Sequence, residues 1–441
     1  MLTLLAYGMV IVFMTLIMTK RMSPLTALIL IPVSFGLVGG FAPDLGEMIV
    51  AGISRLAPTG VMLMFAILYF AVMIDAGLFE PFVQRLVHLV RGDPMKVVVG
   101  TAALALLVSL DGDGSTTYMI TTAAMLPLYR RLQMRPLILA CVTMLSSGVM
   151  NILPWGGPTA RAASALAIDV STVFVPMIPA MVIGVIWVLY VAYRLGLSER
   201  RRLAVAEPSA IAHVLEEELA NPDYHPDTEH RRPDRLIVNA VLTMLLLTAL
   251  IAAVMPLPVL FMLGYAIAVL FNYPTIEQQK ALLSRHAGNV LAVVGLIFAA
   301  GVFTGILSGT KMVDAMADSV VRLVPAALGP YLAIVTGVLS VPFTFLISND
   351  AFYFGVLPIL AKAGEAYGIT AAEMARASLI GQPVHLLSPL VPSTFLLVGL
   401  VGVDFDDHQR YTLKWALVTA LVLLTVGLLT TVIPVMGRAT G

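Results

Sequence analysis

Apolar runs long enough to cross about 30 Å of hydrocarbon at about 1.5 Å per residue fall at 2–19, 24–41, 58–76, 172–194, 235–255, 257–273, 289–308 and 412–433. Each predicts an ordinary transmembrane helix. Four further apolar stretches are punctured by polar residues, glycine and proline: DGDGSTT lies inside 97–129, NILPWGGPT inside 136–168, ISND inside 330–361 and HLLSPLVPS inside 371–402. Chain that leaves the helix at membrane depth must be buried in protein or line a wet cavity, because lipid offers its amides no partner. The stretches 97–129 and 330–361 read as hairpins that enter and return on one side, and 136–168 and 371–402 as broken crossings. The pattern predicts an all-α integral membrane protein with about ten membrane-crossing helices, two of them broken, plus two re-entrant helical hairpins.

The pattern is also written twice. PLTALILIPVSFGLVGG, starting at Pro24, recurs in type around Pro258 as PLPVLFMLGYAIAVLFN, and NILPWGGPT around Pro158 recurs as HLLSPLVPS around Pro392. Both proline pairs lie 234 positions apart. Two hydrophobic halves interrupted at matching places mark a secondary transporter whose solute sits between the interruptions. The division gives a first repeat at 1–194, a linker at 195–234 and a second repeat at 235–441.

Charge sets the orientation. With Lys20 and Arg21 cytoplasmic, the clusters Arg85, Arg91 and Lys96, then Arg130, Arg131 and Arg135, then Arg200 to Arg202, then Lys280 and Arg285 all fall on the same side, as the positive-inside rule asks. Both termini are then expected outside, the linker in the cytoplasm, and the second half inverted relative to the first. Two full crossings in place of each hairpin would move no cluster, so this rule leaves that alternative open. The linker contains EEELANPDYHPDTEHRRPDR and an expected amphipathic helix near Ile211 to Ala220. The stretches 77–90 and 310–324, with Glu80, Gln84 and Arg85, then Lys311, Asp314 and Arg322, predict amphipathic arms along the interfaces.

Composition narrows the class. Hydrophobic residues make up 59% of the 441 and charged ones 12%, against about 25% charged in soluble domains, which excludes a soluble fold. Lys+Arg and Asp+Glu balance at 26 each, leaving no basic field for nucleic acid. The single Cys141, inside LILACVTMLSSGVM, rules out an intrachain disulfide and reads as a packed core thiol. The first apolar run is followed, not preceded, by its positive charges, the wrong polarity for a cleaved signal.

Ionisable groups within the interrupted stretches are functional candidates, because a charge at bilayer depth costs at least about 2.5–3.5 kcal/mol. They are Asp111, Asp113, Arg161, Asp350 and His385. At the first tip Gly112 and Gly114 permit a sharp turn, and Ser115 and Thr116 are expected to cap the returning half-helix, whose positive end suits an anion. Ser348, Asn349 and Asp350 occupy the opposite tip. At the first break Asn151, Pro154, Gly156, Gly157 and Pro158 free carbonyls for cations and amides for carboxylates, Thr159 is expected to cap the outgoing half-helix, and Arg161 can grip a carboxylate with two parallel bonds. Gln382, His385, Ser388, Pro389 and Ser393 take the matching places. An internal Asp113–Arg161 pair is the structural alternative for that arginine. His385 fits a proton relay or a neutral core histidine, and Trp155 fits a site wall or plain helix packing.

On SLDGDGSTTYM and NILPWGGPTAR the chain resembles, over essentially its whole length, the citrate/proton symporter family CitMHS, which takes up citrate complexed to a divalent metal, within the ion transporter superfamily. Ser348-Asn349-Asp350 only approximates the Ser-Asn-Thr tips of sodium-coupled dicarboxylate carriers in that superfamily. The resemblance implies an elevator-type transporter in the cell inner (plasma) membrane: a homodimeric scaffold, and a transport unit that slides across the bilayer carrying both hairpins. It implies no permanently bound cofactor, a divalent cation (Mg²⁺ or Ca²⁺) as part of the substrate, and citrate as the partner. On that basis Asp111, Asp113 and Asp350 are candidates for facing the metal. Gly114, Ser115, Thr116, Asn151, Gly156, Gly157, Thr159, Arg161, Ser348, Asn349, Gln382, Ser388 and Ser393 are candidates for holding the anion, and Asp113, Asp350 or His385 for carrying a coupled proton. A proton- or sodium-coupled carrier of another small carboxylate, a dicarboxylate or gluconate, is the alternative. An intramembrane aspartyl protease would need two carboxylates sharing a proton and gives the duplication no use.

Overall fold

The computed structural model describes residues 2–90, 92–204, 232–252, 254–323, 325 and 327–438, which are helical with short connections and contain no strand. The expected amphipathic helix at 211–220 and Arg91 lie outside the described residues. Seven helical runs among the described residues are long and apolar enough to cross a membrane: Leu45–Asp75, Pro94–Asp111, Val170–Ala204, Pro233–Leu250, Ile276–Gly309, Gly329–Leu346 and Phe405–Leu429. Leu2–Met18, Pro24–Val38, Pro136–Met150, Leu257–Asn272 and Pro392–Val401 are shorter apolar helices. The chain is therefore a multi-pass membrane protein.

Element order recurs between the halves. Leu2 and Leu236 start one matching pair of helices, Pro24 and Leu257 the next, then Glu80 and Met312, Gly157 and Pro392, and Val170 and Phe405. The arms read from sequence at 77–90 and 310–324 are the helices Glu80–Val90 and Met312–Leu323. The first packs on Pro94–Val108, and the second on Leu2–Met18 and Leu357–Glu365.

Three helices extend past their apolar runs. One starts at Leu45 rather than 58, another at Ile276 rather than 289, and the helix from Val170 continues to Ala204, ten residues into the stretch read as linker. Polar residues such as Glu47, Arg55 and Arg285 depress the hydropathy of these ends, but they do not interrupt the i to i−4 hydrogen bonds that define the helix. Leu45–Asp75 and Ile276–Gly309 form the most intimate helix pair. A Cβ on Gly52 would lie 2.0 Å from the Gly301 carbonyl oxygen and one on Gly305 2.3 Å from that of Met48, so only glycine lets these backbones touch, the small-residue packing usual between membrane helices.

Buried carboxylates anchor the start of each broken stretch. Glu199, fully buried, accepts from Arg135 Nε at 2.6 Å, from the Arg135 amide at 3.1 Å and from Arg202 Nη2 at 2.8 Å. In the other half Glu373 accepts from the Thr370 amide at 2.8 Å and from Arg438 Nη2 at 3.0 Å. A buried charge is tolerable only when paired and hydrogen-bonded in this way. Cys141 is buried.

Candidate functional site

Each tip touches both breaks. The first hairpin rises as Pro94–Val108, tightens into a 3-10 turn at Ser109–Asp111, reverses at Gly112 and returns as Gly114–Arg131. Gly112 sits at φ +80°, and a Cβ there would lie 2.8 Å from Trp155 Cδ1. Glycine is required on both counts. Trp155, in the first break, donates from Nε1 to the Leu110 carbonyl at 2.8 Å and packs its ring on Phe70 and Phe261, so it both braces the tip and joins an aromatic wall. On the other side of the tip, Ser393 of the second break lies against Gly114.

The second tip closes the ring. Arg161, one turn into the half-helix Gly157–Leu166, donates from Nε to Asp350 Oδ1 at 2.6 Å, with both side chains largely buried. Its Nη1 lies over the Cα of Gly157. Gln382, in the second broken stretch, donates from Nε2 to Tyr353 OH at 2.9 Å and, at 3.4 Å, to Asn349 Oδ1. His385 Nδ1 meets the Thr344 carbonyl at 2.6 Å, which fixes Nδ1 as the donor. The two broken stretches pack on each other between Pro136–Met150 and Gln382–His385.

Several residues act differently from the sequence reading. The returning half-helix of the first tip is capped by Asp113, not by Ser115 or Thr116: its oxygens accept from the amides of Ser115 and Thr116, each at 3.1 Å, and from Thr116 Oγ1 at 2.8 Å. Asp113 does not pair with Arg161, because the arginine is taken by Asp350. Asp111 is buried and accepts from the Asp113 amide at 2.8 Å. Thr159 does not cap the outgoing half-helix. Its hydroxyl donates backward across the break, to the Ile152 carbonyl at 2.9 Å and the Asn151 carbonyl at 3.3 Å, quenching carbonyls that the break releases. Ser388 donates to the Phe345 carbonyl at 2.7 Å and accepts from the Leu390 amide at 3.2 Å, so it ties the second hairpin to the second break. Ser348 accepts from the Ala351 amide at 3.1 Å.

Two contributors were missed. Thr394 makes the second staple, donating to the Leu386 carbonyl eight residues back, as Thr159 does to Asn151. The doubled hydroxyl in PST at 392–394 was the available signal. Tyr353 receives Gln382 and lies in a buried π-helical turn, Ala351–Val356, which no residue pattern announces.

The half-helices that start at Gly157 and Pro392 carry no side-chain cap, at Gly156 and Val391 respectively. Their free amides and positive dipole ends suit carboxylates, and Asp113 already fills that role at the first tip. Arg161 pairs with Asp350, while Asp111 and Asp113 stand together at the first tip. No group of three or more His, Cys, Asp or Glu that could hold a metal ion occurs among the described residues.

The model of the citrate transporter family CitMHS matches residues 13–381. Among curated relatives, a citrate transporter of Bacillus subtilis (strain 168) is 57% identical over 97% of this chain and 99% of its own length. A Mg(2+)/citrate complex secondary transporter of the same organism is 52% identical over 97% and 98%, and its uncharacterized transporter YraO 44% identical over 99% and 100%. In three dimensions the chain resembles the MtrF antimetabolite efflux pump of Neisseria gonorrhoeae, with TM-score 0.62, 13% identity and coverage of 89% of this chain and 84% of that one. The YdaH transporter of Alcanivorax borkumensis gives TM-score 0.56, 14% identity and coverage of 89% and 88%. These two similarities describe the fold.

Proposed function

The chain belongs to the CitMHS citrate transporter family, and from that premise we propose that it imports citrate as a complex with a divalent cation, coupled to protons. The observation that carries the reading is the Arg161–Asp350 pair at the meeting of one break and the opposite tip, together with the uncapped helix starts of the two breaks at Gly156 and Val391.

Charge favours the complex over the free anion. Citrate carries about three negative charges near neutral pH, and the breaks and tips offer one arginine and three aspartates. A divalent metal reduces the anion to about −1 and brings a positive face for the acidic side. Mg²⁺ and Ca²⁺ take oxygen ligands, so in this reading the metal face turns to exposed Asp113 and the carboxylates turn to Arg161, the Gly157 and Pro392 helix starts, and Ser393. Thr159, Thr394 and Ser388 shape the breaks rather than touch the solute. The relative whose name carries the Mg²⁺/citrate complex supports this assignment.

For movement, the recurring element order and the two-sided contact of each tip support inverted repeats with re-entrant hairpins. The hairpins, the broken crossings and the helix Val170–Ala204, joined through Glu199, form the sliding unit of an elevator. The glycine-packed pair Leu45–Asp75 and Ile276–Gly309 belongs to the frame, which in this reading dimerises. The test is labelled citrate uptake into proteoliposomes with Mg²⁺, Ca²⁺ or chelator, with sodium replaced, and with an imposed proton gradient. Metal-dependent, sodium-independent uptake driven by the gradient is expected; uptake indifferent to chelation overturns the metal complex.

A further inference from the structure

Below the first tip the core carries hydroxyls where membrane protein interiors are usually apolar. Ser109 Oγ lies 3.1 Å from Thr117 Oγ1 and 3.2 Å from Ser147 Oγ, so one serine joins the returning arm of the hairpin to the first broken crossing. Those two helices, Gly114–Arg131 and Pro136–Met150, are linked by four residues and pack together, which makes them antiparallel neighbours. One turn deeper, Thr121 lies on the face of Thr117 and Thr143 on the face of Ser147. Antiparallel packing therefore sets Thr121 opposite Thr143. Both are fully buried, and neither hydroxyl has a hydrogen-bond partner.

A buried hydroxyl without a partner costs about 1–3 kcal/mol, and two facing each other are the polar lining that an internal water needs. Among the described residues the second half distributes its hydroxyls differently. At the 234-residue spacing Ser109, Thr117, Thr121, Thr143 and Ser147 correspond to Phe343, Ala351, Gly355, Ala377 and Gly381. There Ser340, Thr344 and Thr336 are buried on the first arm and Ser378 beside the second break; Ser340 and Ser378 bond their own helices, Thr344 bonds its own helix and, at 3.4 Å, the Gly381 carbonyl, and Thr336 is unpartnered.

We infer that the seam Ser109–Thr117–Ser147–Thr121–Thr143 binds a cluster of internal waters and is the path by which the coupled proton reaches the first tip. Each hydroxyl and water accepts one proton and releases another, so the file passes charge with no net change in itself. The seam offers hydroxyls, which both give and take protons. The titratable groups around it are Tyr118, beside Ser147, and Asp111 and Asp113 at the tip.

The inference rests on the proton-coupled reading above, and the experiment separates the two. Thr121→Val combined with Thr143→Val keeps side-chain shape and removes both hydroxyls. Expected are an unchanged affinity for Mg²⁺–citrate within about twofold, unchanged citrate/citrate counterflow, and at least a tenfold loss of accumulation driven by a proton gradient. The paired Thr→Ser variant should restore accumulation, and Thr336→Val should leave it intact. Gradient-driven accumulation retained by the double valine variant overturns the seam, as does a parallel loss of counterflow, which would mark a packing role. If the native protein shows no gradient-driven accumulation, the proton-coupled reading and the seam's part in it fall together.

Discussion

Arg161 and Asp350, 189 positions apart and in opposite halves of the chain, meet through a 2.6 Å bond from Nε to Oδ1. This single bond joins the first break to the second tip, and it leaves the η edge of the guanidinium for another acceptor. In the proposed cycle a citrate carboxylate competes with Asp350 for the arginine. Bidentate guanidinium–carboxylate contacts are stronger than single ones, so the solute wins when it presents a whole carboxylate.

Asp350→Asn keeps an acceptor oxygen but removes the charge that holds Arg161. Mg²⁺–citrate should then bind about fivefold more tightly, about 1 kcal/mol, while uptake slows because release becomes harder. Calorimetry on purified protein together with proteoliposome flux checks both halves of that statement. Weaker binding would mean that Asp350 contacts the cargo directly.

Thr159→Val and Thr394→Val each remove the hydroxyl that quenches a carbonyl at a break. A buried acceptor stripped of its donor costs about 1–3 kcal/mol, so each variant should lower the midpoint of thermal unfolding and weaken citrate binding together. Ser393→Ala, one position from Thr394 but facing Gly114, should weaken binding without lowering stability.

Gly52→Val forces a branched side chain into the backbone of the partner helix. Overpacking usually costs about 1–3 kcal/mol, and here the listener is a carbonyl oxygen 2.0 Å from the first added carbon, so the helix pair should separate. Expected is a loss of folded protein after detergent extraction, measured by size-exclusion chromatography, whereas Gly288→Ala, where an added Cβ meets nothing within 4 Å, should behave as the native chain.

The interruptions carried most of what could be read in advance. Glycine, proline and aspartate inside apolar runs located the tip at Ser109–Asp111 and the start of the half-helix at Gly157, because those residue types act locally on the backbone. Partner choice was not local. Asp113 lies nearer to Arg161 in sequence than Asp350 does, yet Asp113 is engaged by its own helix start, and only the packing of opposite halves brings Asp350 within reach. The direction of the Thr159 hydroxyl was equally hidden, since a threonine beside a helix start can accept from amides or donate to freed carbonyls, and the fold decides which is closer. Helix ends such as Leu45 and Ala204 escaped hydropathy because a helix continues wherever its backbone bonds do, wet or dry.

The central claim is that Arg161 receives a carboxylate of a metal-bound citrate. Titration of the purified protein with citrate, in excess Mg²⁺ and again in chelator, for the native chain and Arg161→Ala, tests it most directly. The account predicts saturable binding by the native protein in Mg²⁺, lost in chelator, and at least a hundredfold weaker binding by a folded Arg161→Ala protein. Equal affinity of the two proteins, or native binding undiminished by chelation, would contradict it.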